Sequence, residues 1–216
     1  MTKTQKAIYV IEKLLELYPE PKCTLEYNKP YELLIATILA AQSTDERVNK
    51  ITPTLFKKYP SLEHFANADL KELEKDIKSV GFYRNKAKSI KEIAKLLIEK
   101  YNGMLPNNIE ELTTLKGVGR KTANVIMANI FGVPSIIVDT HCMRLSNRIG
   151  FVNSEDPDKI EFELRKIIPQ DMYTIFSNLM VYHGRAVCKA RKPNCSQCII
   201  NNVCDFYKRL SKNNNF

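Results

Sequence analysis

Residues 115–122 read LKGVGRKT: two glycines one residue apart, then two cations, then a helical pattern. A turn of this kind exposes consecutive backbone N–H groups beside the positive end of a helix, and together these hold an anion, usually a phosphate. The phosphate can belong to a nucleotide or to a nucleic-acid strand. Lys121 stands at the mouth of the following helix, and Asp139 lies eighteen residues further on. An amine is a nucleophile only in its neutral form, and the helix end together with Lys116 and Arg120 disfavours the cation. Burial in a pocket would act the same way. Taken alone, Lys121 is one more phosphate contact and Asp139 one more helix cap. Taken together they offer a nucleophile and a fixed carboxylate for a cationic transition state.

Two nucleotide readings fail on context. GVGRKT supplies the first half of a dinucleotide fingerprint, but Thr122 stands where the third glycine belongs and a helix, not a strand, precedes it. A phosphate-binding loop of the GKT type fails because Arg120 precedes Lys121. What remains is a helix-hairpin-helix, which grips a phosphodiester without reading bases. Gly117 and Gly119 are expected to take backbone angles closed to other residues.

Cys188, Cys195, Cys198 and Cys204 follow the spacing C-x6-C-x2-C-x5-C, four thiols in seventeen residues. The spacing fits a tetrathiolate site and leaves zinc and a [4Fe–4S] cluster both open. Lys189, Arg191 and Lys192 lie between the first two cysteines, and no acid occurs from 183 to 198. A basic loop stiffened by metal is a second candidate grip on a phosphate backbone. Cys23 and Cys142 fall outside the pattern and read as ordinary buried thiols.

The chain has 216 residues, 44% of them apolar, enough for one sizeable domain or two small ones. Thirty-three Lys and Arg against twenty-four acids give a formal +9, which favours a polyanionic partner. The N-terminal segment is amphipathic and lacks the apolar core of a signal peptide. The longest apolar run, LLIATILAA at 33–41, is too short to span a bilayer. These features point to a soluble, cytoplasmic, reducing setting, in which a disulfide framework is not expected.

Nearly every segment reads helical, so the expected class is all-α. Apolar periodicity predicts a helix over 3–17, stopped by Pro19 and Pro21. A helix beginning at Pro30 is apolar all round and is expected at the centre of the core. Ser43 and Glu46 form an expected capping box for the next helix. Helices follow at about 53–59 and 69–79, the latter closed by a left-handed Gly81. The segment 84–101 carries a lysine-rich face. A short helix at 108–114 enters the hairpin and another leaves it from 120 to 131. Beyond an extended VPSIIV, helices are expected at 140–149, capped by Asp139, and near 157–168 and 171–187.

The ordered combination LLIATILAAQSTDERVNK, GFYRNKAKSI, LKGVGRKTANVI, VDTHCMRLSNRIG and HGRAVCKARKPNCSQCIINNVC resembles the endonuclease III family of helix-hairpin-helix DNA glycosylases. The resemblance covers most of the chain. It implies a six-helix barrel over 23–133 containing the hairpin at about 108–131. Residues 1–22 with 134–216 would form an iron–sulfur domain with its cluster loop at 188–204. The family removes oxidised pyrimidines from duplex DNA and cleaves the strand at the abasic sugar by β-elimination. By matching motif, Lys121 resembles the amine that forms the Schiff base, and Asp139 the carboxylate that stabilises positive charge on the sugar. Gln42 would fill the space left by the flipped nucleotide and Phe82 would wedge into the stack. Lys116, Gly117, Gly119, Arg120, Lys189 and Lys192 would hold the DNA backbone, and the four cysteines a [4Fe–4S] cluster. The implied partner is double-stranded DNA with damaged pyrimidines or abasic sites, bound by a monomer away from any membrane. Two departures stand out: Lys116 replaces the usual proline and Phe82 the usual leucine. The adenine-specific branch lacks the lysine and the thymine-mismatch branch carries tyrosine there, so Lys121 points away from both.

Overall fold

The computed structural model of the protein describes residues 1–213. Among these there are twelve α-helices, three short 3-10 turns and no strand. In chain order the helices are α1 (Lys3–Leu17), α2 (Pro30–Ala40), α3 (Asp45–Lys58), α4 (Leu62–Asn67), α5 (Leu70–Asp76) and α6 (Tyr83–Tyr101). They continue with α7 (Ile109–Thr114), α8 (Arg120–Asn129), α9 (Thr140–Ile149), α10 (Pro157–Arg165), α11 (Tyr173–Ala186) and α12 (Asp205–Asn213). The chain divides into two compact units, Cys23–Val133 in one and residues 1–22 with those from Pro134 onward in the other.

The Cys23–Val133 unit is built round α2. Pro30 sits in its first turn, and Leu33, Leu34, Ile35, Ala36, Ile38 and Leu39 are all buried. A helix apolar on every side has no face to offer water, so α3, α6 and α8 pack round it. Buried Glu32 turns back to accept from the N–H groups of Asn28 (2.7 Å) and Lys29 (3.1 Å), which satisfies donors that the helix start leaves free.

In the other unit α1 begins with a reciprocal cap. Thr2 Oγ1 accepts from Gln5 N–H and Gln5 Oε1 accepts from Thr2 N–H. The buried stripe Ala7, Val10, Ile11 and Leu14 joins Cys142, Leu145 and Ile149 of α9 and Phe176, Leu179 and Met180 of α11 in one core.

Three local expectations are corrected. The cap of α3 is Thr44, whose hydroxyl accepts from Arg47 N–H, and not the Ser43–Glu46 box, because Ser43 is engaged elsewhere. Pro53 does not start a new helix, and α3 runs through it. Pro53 costs a helix about 3 kcal/mol, but Val48, Thr52 and Leu55 bury one continuous face across it. Gly81 is not left-handed. α5 ends at Asp76, and the residues with positive φ in this region are Gln42 and Phe82, both at 57°.

Candidate functional site

The hairpin is set by two apolar anchors. Leu115 and Val118 are buried, and Val118 N–H closes the turn on Leu115 carbonyl at 3.0 Å. Gly117 between them has φ +81°, and a Cβ there would touch Ser89 Oγ at an ordinary 3.4 Å, so it is the conformation that demands glycine. Gly119 differs from expectation. Its backbone is extended (φ −93°, ψ 177°), open to any residue, and a Cβ would meet nothing within 4 Å. As the residue before α8 it offers no side chain to cap the first turn, whose N–H groups stay available to an anion. No acid occurs in that turn, which carries Arg120 and Lys121.

Lys121 is exposed, so the expected pocket burial is not present in the protein alone. Lys116 is also exposed but is paired with Glu92 at 2.7 Å. Gln42 and Phe82 occupy adjoining loops of the same unit. Gly81 N–H donates to Ser43 Oγ at 3.1 Å and passes close to Gln42 carbonyl. Both side chains are exposed, Phe82 to 64%.

Asp139, in the other unit, caps α9 as expected and accepts from Cys142 N–H at 2.7 Å. Cys142 is fully buried and Cys23 only half-buried; burial pushes each thiol up.

No disulfide joins any of the six cysteines. Cys188, Cys195, Cys198 and Cys204 border one space, lined also by Arg148, His183 and Phe206. Two 3-10 turns, Cys195–Gln197 and Asn201–Val203, present Cys198 and Cys204. His183 Nε2 lies 3.2 Å from Cys198 Sγ, and burial holds its imidazole near pKa 4, hence neutral. Arg148 donates to Cys188 Sγ at 3.4 Å, to Lys189 carbonyl at 2.8 Å and to Ala190 carbonyl at 3.0 Å. Its guanidinium also lies over the Phe206 ring. Four thiols bordering one space supply the donor set of a metal–thiolate centre. Lys189 and Lys192 project from this loop, exposed, Lys192 with φ 50°.

Motif spacing did not reveal Lys86, Glu92 or Arg148, and it gave Ser43 a different role. Only Lys86 left a trace in the sequence, as a lysine falling on the apolar side of α6.

A hairpin of this geometry on an all-helical fold suits a grip on a phosphodiester backbone, and residues 35–170 match the family described as HhH-GPD superfamily base excision DNA repair protein. The chain belongs to that superfamily. Residues 188–204 match the iron–sulfur binding domain of endonuclease III. Endonuclease III of Synechocystis sp. is 48% identical over 204 residues, covering 94% of this chain and 93% of that protein. Endonuclease III of Escherichia coli is 36% identical over 205 residues, covering 95% and 97%. The structure of a non-covalent endonuclease III–DNA complex superposes with a TM-score of 0.93 at 43% identity, covering 98% of this chain and 100% of that one. A trapped endonuclease III–DNA covalent intermediate superposes at 0.92, with the same identity and coverage. The chain therefore belongs to the endonuclease III family, as a DNA glycosylase and abasic-site lyase of base excision repair. Its cofactor is a [4Fe–4S] cluster. No helix among the described residues is long and apolar enough to cross a membrane.

Proposed function

We propose that the protein removes oxidised pyrimidines from duplex DNA and then cuts the strand at the abasic sugar, with Lys121 as nucleophile and Asp139 as electrostatic stabiliser. The damaged nucleotide must first leave the stack. The Lys121 amine attacks C1′ of the sugar, the bond from C1′ to the base breaks, and the base leaves with the electron pair and takes up a proton. The sugar ring opens to an imine between C1′ and Nζ. Loss of a proton from C2′ then expels the 3′ phosphate, and water releases the amine. Asp139 stabilises the positive charge that grows on the sugar as the base departs.

Gln42 fills the vacated space and Phe82 wedges the neighbouring stack. The N–H groups at Gly117 and Gly119, with Lys116 and Arg120, hold one phosphate stretch, while Lys189 and Lys192 hold another. Cys188, Cys195, Cys198 and Cys204 ligate the cluster, which supplies the fold of that loop and no sugar chemistry. In this reading Cys23–Val133 is the lesion-handling barrel, the remaining residues are the cluster domain, and the protein acts as a monomer in the cytoplasm.

The observation that carries the reading is the place of Lys121, an exposed amine in the first turn of α8, two residues past Gly119 at the uncapped helix start. A phosphate gripped there brings its sugar within reach, and the DNA itself excludes water from the amine. The test is borohydride trapping on an abasic duplex. Lys121→Gln should form no adduct while still binding that duplex. Trapping by the variant at the wild-type level would remove Lys121 from the role.

A further inference from the structure

The α2–α3 loop and the α5–α6 loop each contain one non-glycine residue in the left-handed region, Gln42 and Phe82. Backbone of that kind persists only where its surroundings over-determine it, and it gathers at working sites. Four hydrogen bonds tie the two loops and their flanking helices together. Gly81 N–H donates to Ser43 Oγ, Arg47 Nη1 donates to Ser79 carbonyl at 3.3 Å, and Lys86 Nζ donates to the carbonyls of Leu39 at 2.8 Å and Ala41 at 2.6 Å.

Lys86 is the unusual member. It is 6% exposed, on α6, one turn after Phe82, and its own N–H donates to Phe82 carbonyl at 3.1 Å. One residue therefore holds both loops, by its backbone at Phe82 and by its ammonium at the end of α2, where Ala41 leads straight into Gln42. Burying a lysine costs a fold unless the ammonium is bonded, and the carbonyls at the α2 end would otherwise lack donors. Burial also holds this amine below the usual lysine range. An apolar residue would pack at that position without this cost, and the apparent return is a fixed relation between two exposed side chains.

We infer that Lys86 is a positioning residue that presents Gln42 and Phe82 to the duplex as a preformed pair of probes, so that the damaged nucleotide is opened by a rigid wedge. The inference rests on the proposed roles of Gln42 and Phe82. Its consequence is specific: Lys86 matters for opening paired DNA and not for the chemistry that follows.

The experiment compares borohydride trapping on two substrates, an abasic site in a fully paired duplex and the same site inside an unpaired bubble, using Lys86→Met, Lys86→Arg and Gln42→Ala. A bond to a charged donor carries a factor of about ten or more, so Lys86→Met should trap the paired substrate at least about tenfold more slowly. On the bubble it should match wild type. Lys86→Arg, which keeps donors for the two carbonyls, should recover much of the loss. If methionine prevents folding, Lys86→Gln, whose shorter neutral amide loses the charged donor, must show the same split. Equal slowing on both substrates, or none on either, would overturn the inference. Gln42→Ala reports on the underlying reading: if it shows no defect on the paired substrate, the probe assignment itself has failed, whatever Lys86 does.

Discussion

Asp139 accepts a hydrogen bond from Cys142 N–H at 2.7 Å, which fixes the carboxylate at the start of α9. The cap and the proposed catalytic charge reside in one side chain, and chemistry can separate them. Asparagine caps about as well as aspartate, whereas alanine costs about 0.5–2 kcal/mol. Asp139→Asn should leave thermal stability within experimental scatter yet lower single-turnover base excision by about 100-fold or more, the scale of losing one preorganised charge. Thermal melts beside single-turnover rates check it; a variant that loses both together makes Asp139 mainly a cap.

The two hairpin glycines should respond oppositely to alanine. Gly117→Ala forces a side chain into φ +81° against Ser89, and should cost about 1–2 kcal/mol from backbone strain alone. Gly119→Ala meets open space at an ordinary φ and should be neutral, or stabilising by up to about 1 kcal/mol through the unfolded chain. If a phosphate lies against that turn, however, Gly119→Ala should weaken DNA binding several-fold. Urea melts and a binding titration on one abasic duplex read both effects.

Lys116 is held by Glu92 in an exposed pair, which contributes about 0–1 kcal/mol at most. Glu92→Gln should therefore leave stability alone while raising affinity for damaged and undamaged duplexes alike. Lys116→Ala should weaken both and make the slope of log affinity against log salt shallower by about one. A Glu92→Gln protein with unchanged affinity at low salt would take Lys116 out of the DNA grip.

The cluster loop gives a fourth prediction. Purified protein should be yellow-brown with about four irons per chain. Cys198→Ser should bleach it and weaken DNA binding. Arg148→Ala, which removes the donors to Lys189 and Ala190 carbonyls, should weaken binding in the same salt-dependent way as Lys189→Ala or Lys192→Ala. Anaerobic protein that is colourless and carries one zinc would overturn the cysteine assignment.

The all-helical class, the hairpin between α7 and α8, the Asp139 cap and the four-cysteine loop were all legible in the amino-acid sequence. Each rests on short-range physics: apolar spacing along one helix, a glycine turn, a side chain bonding three residues ahead, thiols close enough to share a site. Tertiary structure decided what depended on partners arriving from elsewhere in the chain. Ser43 reads as a helix cap until Gly81 claims its hydroxyl, so Thr44 caps α3 instead. Pro53 reads as a helix start until burial on one face carries α3 across it. Gly81 reads as the left-handed residue, yet Gln42 and Phe82 adopt that conformation because their loops are tied together. Lys116 reads as a free phosphate contact until α6 supplies Glu92. Lys86 shows the difference most plainly: the sequence puts a lysine on the apolar side of α6 without a partner, and only the arrival of the α2 end at its side chain makes it a bonded, buried ammonium. Local spacing specifies which helices form, but a buried donor acquires its role only when the fold delivers the acceptor.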